Sequence, residues 1–286
     1  MKKRLLILAG GMSSRMKKAA EDLSIDDKLV EQANTLTKGM IRVGREGKSL
    51  LDYQIINAQE AGMEEVLLLL HPDDVITQPY YEARQAQGDL GPLTVLFARQ
   101  YIAPDRTRPA GTSDAVWQAL QQHSDWQRGR FIVCNSDNLY SVKALTGLWN
   151  CDYPNALISY DRDALGFPEE RIKAFALMKT DSDGYLLEIV EKPSETETAA
   201  ILQSQGRLGV SMNCFVFEAA QLIPYLEKTP FHPLRNEKEL PTTVSLLAQE
   251  QPKSVGTVPL AEVVPDLTSK HDIAIVQAYL ANSFQF

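Results

Sequence analysis

The sequence predicts an α/β protein: a mixed, mainly parallel sheet flanked by helices, with antiparallel additions in its second half. Three observations carry that prediction. Short aliphatic runs such as Leu5–Leu8 and Val66–Leu70 read as buried strands. Stretches of helical period separate the early ones, giving a β-α-β start. From Asn155 onward the strand-like runs come at shorter spacing, which reads as less regular winding with antiparallel pieces.

"RLLILAG" is the first strand, and two glycines end it. Lys2, Lys3 and Arg4 imitate the basic start of a secretory signal, but the aliphatic run to Ala9 is too short for one. "LLDYQIINAQEAG" places Leu51, Ile55 and Ala58 on one helical face and stops at Gly62. "EEVLLLL" follows as a second buried strand, "LTVLFARQ" as another, "SDAVWQALQQH" as a helix and "RFIVCNSD" as a strand running into an acidic loop. "NALISY", "FALMKT", "YLLEIVEK" and "NCFVFEAA" have strand character. "EKPSETETAA" and "EKTPFHPLRNEKELP" read as surface connections. The end of the chain predicts a helix with Ile273, Val276 and Leu280 facing the body. The whole reads as one domain, 1–286, with about 270–286 a C-terminal helical appendage.

Composition bounds the function. At 44% hydrophobic and 23% charged, the 286 residues are ordinary soluble protein with material for a sizeable core. A net charge of −8 argues against a nucleic-acid partner, which needs a basic surface, but permits a small anion in a local basic pocket. Cys134, Cys151 and Cys214 form no C-x-x-C pair, which disfavours a disulfide framework and a zinc site and fits a cytoplasmic location. The histidines are scattered without ligand spacing. No apolar run is long enough to span a bilayer.

Several short segments have the residue types of an anion site. In "LAGGMSSRM" the backbone N–H groups of Gly10 and Gly11 suit phosphate oxygens, and Arg15 adds a guanidinium fork. The glycine spacing matches neither a Rossmann G-x-G-x-x-G nor a P-loop. In "RPAGTSDAVWQAL", Gly111 permits close approach, while Thr112 or Ser113 suits a helix cap. Asp137 in "FIVCNSDNLY" stands where an aliphatic strand ends, the place where α/β sheets meet ligands. "LLEIVEKP" sets Glu191 and Lys192 at another strand exit.

Taken in order, these segments resemble the sugar nucleotidyltransferases (nucleoside-diphosphate-sugar pyrophosphorylases). That family has L-A-G-G-x-G-[ST]-R-[LM] after its first strand, then K-P-[ML]-[LIV]-x-[VI] and G-K-P-[LI]-[IL]. Lys38–Val43 and Gly47–Leu51 fit, with Gly39 and Ser49 where proline is usual and Ser13 for the third loop glycine. "RPAGTSDAV" resembles P-x-G-T-A-x-A-[VI], and "EKP" is the family's own tripeptide. "MNCFVF" resembles N-x-G-x-[YF]-x-F, with Cys214 replacing the glycine. "VVPDLTSKHDI" resembles D-[IVL]-[GD]-T-P, its T-P altered. The resemblance runs from Leu5 to Asp266.

The resemblance implies a nucleotide-diphospho-sugar-transferase-like (Rossmann-like) fold and a Mg²⁺-dependent reaction. A nucleotidyl group would pass from a nucleoside triphosphate to a sugar 1-phosphate, releasing pyrophosphate. It implies Arg15 and Lys38 on the triphosphate and leaving pyrophosphate, and Lys192 on the sugar phosphate. Gly10, Gly11, Arg108, Gly111 and Thr112 would meet the nucleotide, and Glu191 and Asn213 the sugar. Asp137 and Asp266 would hold the metal, with Asp272 an alternative to Asp266. UTP or dTTP is favoured by family frequency alone, and a homo-oligomer is compatible with the sequence. Met16 to Lys38 is longer than the family loop and reads as a surface helix rather than a lid. Three other readings stay open: a non-catalytic regulatory or binding subunit, a molybdenum-cofactor-type guanylyltransferase, and a glycosyltransferase.

Overall fold

The computed structural model describes residues 1–11, 16 and 26–284. In chain order come β1 (Arg4–Ala9), α1 (Asp27–Thr35), α2 (Leu50–Glu60), β2 (Glu65–Leu70), α3 (Thr77–Ala86) and β3 (Thr94–Arg99). Next are α4 (Thr112–Gln122), β4 (Arg130–Asn135), α5 (Val142–Asn150), β5 (Asn155–Asp161), α6 (Glu169–Ile172), β6 (Leu177–Thr180) and β7 (Leu186–Val190). The rest are α7 (Glu195–Gln205), β8 (Gly209–Val210), β9 (Cys214–Glu218), α8 (Ala219–Lys228), α9 (Leu240–Glu250), β10 (Val255–Leu260) and α10 (Asp272–Ser283).

These elements form two compact units. The first comprises Lys2–Pro109, Asn135–Val142 and Pro265–Phe286, and the second Met1, Ala110–Cys134 and Lys143–Val264. In the first, β2 lies between β1 and β3, and all three run parallel. Every residue of β2 is buried, as its unbroken aliphatic run requires. α2 begins with a capping box between Ser49 and Asp52 and ends before Gly62, whose φ is +74°. Asp26 caps α1, which buries Leu29 and Ala33 in a cluster with Ile273, Val276 and Leu280 of α10. A helix therefore forms at 27–35 as expected, while residues 17–25 lie outside the described residues.

The second unit is where the antiparallel pieces fall. β9 pairs antiparallel with both β4 and β5, β8 with β5 and β6, and β6 with β7. β10 runs parallel along β5. One expectation holds only in part: "EKPSETETAA" is a connection as far as Ser194, and from Glu195 it is the start of α7. Ser194 and Glu197 form a capping box, and Gly206 at φ +70° closes the helix. The apolar pattern hid it, because only Ile201 of α7 is buried.

Candidate active site

Lys38 belongs to a short 3-10 turn after α1, and Asp137 to the loop leaving β4. The fold brings them together: Lys38 Nζ lies 2.9 Å from Asp137 Oδ2, with 12% and 25% of the two side chains exposed. Gly39 makes the approach possible. A Cβ there would sit 3.3 Å from the carbonyl oxygen of Ser136, tight contact with backbone that has little room to yield. The glycine in place of the family's proline thus has a local packing reason.

Asp266 is carried to the same turn by backbone pairing. Asn138 and Asp266 form an antiparallel bridge. Leu267 N–H donates to the Asp137 carbonyl at 2.7 Å, and Leu139 N–H to that of Pro265 at 2.9 Å. Thr268 Oγ1 lies 2.9 Å from each carboxylate oxygen of Asp266. Asp272 is employed otherwise: its Oδ2 accepts from the N–H groups of Thr268 and Ser269 and from Ser269 Oγ, closing the turn before α10. Two carboxylates on adjacent backbone match what Mg²⁺ takes from a protein, which is one or two carboxylates with the remaining positions left to water and phosphate. Among the described residues no cluster of three or more histidine, cysteine, aspartate or glutamate side chains forms a denser cage.

Gly10 and Gly11 follow β1. Gly10 is buried, with Gln100 Oε1 3.3 Å from where its Cβ would stand, whereas Gly11 faces open space. Gly11 lines a cavity of about 350 Å³ with Thr37, Met40, His71 and Ile76, beside the turn that carries Lys38. Arg108 is exposed. Arg15 lies outside the described residues.

In the second unit, Gly111 has φ +112° and ψ −178°, a backbone region open essentially to glycine alone. The space its side chain would fill is taken by the backbone of Lys238, whose N–H and C=O pair with Ala110 and Ser113. Thr112 does not cap α4. Its Oγ1 accepts from Leu240 N–H at 2.9 Å, at the start of α9.

Glu191 and Lys192 leave β7 exposed, and Lys192 has φ +48°. Asn213, between β8 and β9, has φ +56°. Non-glycine residues in this region are uncommon and cluster where surroundings hold a functional conformation. Leu177 of β6 is the register partner of both Val190 and Val210, so the segments bearing Glu191 and Asn213 leave the same end of the sheet. Burial first, and then the charge of Glu191, push Glu239 above its ordinary value against the pull of Arg235.

Three amides escaped the sequence reading. Gln54 and Asn57 of α2 hold the loop after β4, and Gln100 backs Gly10. Two amides three residues apart within an otherwise apolar helix face were the available signal.

Comparison with known proteins identifies the family and the fold. The model of the nucleotidyl transferase family matches residues 5–259. The chain is 28% identical over 183 residues to the chloroplastic/amyloplastic glucose-1-phosphate adenylyltransferase small subunit of Triticum aestivum, covering 61% of this chain and 34% of that one. It is 23% identical over 240 residues to the glucose-1-phosphate adenylyltransferase of Fusobacterium nucleatum subsp. nucleatum, covering 79% and 54%. It thus spans between a third and somewhat over half of these relatives' length. A solved structure of UDP-glucose pyrophosphorylase complexed with UDP-glucose superposes with a TM-score of 0.69 over 99% of this chain and 100% of that one, at 16% identity. That likeness shows the α/β fold. With the family model covering nearly all of it, the chain belongs to the nucleotidyl transferase family.

Proposed function

We propose that this protein transfers a nucleotidyl group from a nucleoside triphosphate to a sugar 1-phosphate, giving a nucleoside-diphosphate sugar and pyrophosphate. The observation that carries the proposal is the meeting of Lys38 with Asp137, 99 residues apart, beside Asp266 at the end of a buried strand. In this scheme a phosphate oxygen of the sugar 1-phosphate attacks the α-phosphorus, and the bond to pyrophosphate breaks. The acceptor is already ionised, so no general base is required, and positioning with charge neutralisation does most of the catalysis.

Lys38, with Arg15, takes the developing charge on pyrophosphate, and Lys192 holds the acceptor phosphate. Gly10, Gly11 and Arg108 serve the triphosphate. Gly111 contributes backbone, and Thr112 Oγ1, which accepts from Leu240 N–H, keeps its own hydrogen to donate to the nucleotide. Glu191 and Asn213 meet sugar hydroxyls. Asp137 and Asp266 would hold Mg²⁺, which supplies charge neutralisation on the phosphates when bound. Among the described residues no helix is long and apolar enough to cross a membrane. Three cysteines outside any disulfide favour a reducing compartment such as the cytoplasm.

The test is pyrophosphate release with Mg²⁺ across UTP, dTTP, CTP, GTP and ATP against a panel of sugar 1-phosphates. One productive pair is expected, and Asp137→Asn should lower its turnover by about 100-fold or more with the fold intact. Triphosphate binding without pyrophosphate release across the panel would favour the non-catalytic reading. Wild-type turnover in Asp137→Asn would remove the metal from that residue.

A further inference from the structure

We propose that Gln54 is a positioning residue that sets the Asp137 carboxylate for the metal; the inference rests on the assignment of Asp137 made above. Gln54 sits in the middle of α2 and is 3% exposed. Its Nε2 donates to the carbonyl of Asn135 at 3.0 Å and to that of Asn138. The two hydrogens of one amide therefore hold both carbonyls that bracket Ser136 and Asp137.

The other end of this amide shows the bond is not incidental. Among the described residues, Gln54 Oε1 is buried with no hydrogen-bond partner. Turning the amide over would aim that oxygen at two carbonyl oxygens, so the turn dictates the orientation. Native chains rarely leave a buried acceptor unsatisfied. Here that cost accompanies a turn fixed at Asp137, whose carbonyl is pinned by Leu267 N–H, while Ser136 N–H donates to Leu8 at 3.2 Å. α2 itself is anchored at its start, because Asp52 accepts hydrogen bonds from Tyr80, Tyr81 and Arg84. With helix and turn both immobilised, the Asp137 side chain leaves a backbone of defined position. Groups that orient metal ligands in this way commonly matter tenfold to a hundredfold in metal affinity.

Asn57, three residues on, provides an internal comparison. Its Nδ2 donates to the carbonyl of Tyr140 at 2.8 Å, the same kind of bond to the same loop but beyond the metal turn. The experiment is titration of the full chain with Mn²⁺ alone, followed by electron paramagnetic resonance, on wild type, Gln54→Met, Gln54→Glu, Asn57→Ala and Asp137→Asn, with thermal unfolding of each. Gln54→Met should weaken Mn²⁺ about tenfold, whereas Asn57→Ala should lower the melting temperature yet change Mn²⁺ affinity by less than about twofold.

If Gln54→Met does not fold, Gln54→Glu carries the test. Buried against two carbonyl oxygens, its carboxyl is held protonated, donates to one carbonyl at most and adds no charge beside the turn, so a loss would report position. Wild-type affinity in the Gln54 variants, or equal losses in Gln54→Met and Asn57→Ala, would overturn the inference. Wild-type Mn²⁺ binding in Asp137→Asn would overturn the metal assignment itself, whatever Gln54 does.

Discussion

At the scale of single residues, Lys38 and Asp137 do for each other in the free protein what ligands would do in turnover. A partly desolvated ammonium and carboxylate 2.9 Å apart cancel most of each other's charge. A cation approaching Asp137 must compete with Lys38, and a triphosphate approaching Lys38 must compete with Asp137. Under the proposed function, metal and triphosphate arriving together would exchange one pairing for two. Lys38→Gln should therefore bind Mn²⁺ alone roughly tenfold more tightly than wild type while losing most turnover. Unchanged or weaker Mn²⁺ binding in that variant would show that the pair does not restrain the site.

At the scale of elements, α2 is the platform of the first unit, and Asp52 is its polar hub. The carboxylate is 1% exposed and takes hydrogen bonds from Ser49 N–H and Oγ, Tyr80, Tyr81 and Arg84. Burial foremost, with the Asp52 charge beside it, holds the Tyr81 hydroxyl well above its ordinary value. Asp52→Ala strands the guanidinium and hydroxyls and should cost about 3–5 kcal/mol in urea unfolding; a loss below about 1 kcal/mol would mean water replaces the carboxylate. Gly111→Ala in the second unit combines a forbidden φ with overlap on Lys238 backbone, and should cost at least ~2 kcal/mol by the same measurement.

Glu65, at the start of β2, gives a pH signature. Burial alone would raise its pKa, but hydrogen bonds and charge from Lys2 and Arg4 outweigh burial and lower it. A carboxylate lowered in the folded state contributes stability above the ordinary glutamate range and loses it as pH falls through the folded value. Between pH 7 and about pH 3, wild type should therefore lose more stability than Glu65→Gln in parallel denaturant series. Equal losses would mean that the pairing contributes nothing to folding.

At the scale of the whole molecule, the thiols separate packing from chemistry. Cys134 and Cys214 are register partners on β4 and β9, both buried and neither joined in a disulfide. Burial chiefly, then the neighbouring Cys134 and Glu262, push the Cys214 thiol far up. Reactivity belongs to the thiolate, so a thiol reagent should leave this pair unmodified in the native protein and reach it only on unfolding. Rapid native labelling of two or more thiols would show that the strands open.

Much of this was legible in the chain because it is local. The aliphatic runs at Leu5–Leu8 and Val66–Leu70 state their own burial, and Gly62 states where α2 stops. Lys38, Asp137 and Lys192 stand in motifs whose order can be read along a line. The amphipathic signal failed at α7, which buries almost nothing and is set instead by its capping box. It also failed at Gln54 and Asn57, where amides serve a loop that sequence distance conceals.

By itself, then, the sequence determined the α/β class and the parallel start, because propensity and side-chain period act between near neighbours. Only the tertiary structure decided that the backbone of Asp266 pairs next to Asp137 and that Lys38 closes on the Asp137 carboxylate. It alone set Gln54 beneath them, because backbone pairing between distant segments depends on registers that no local pattern encodes.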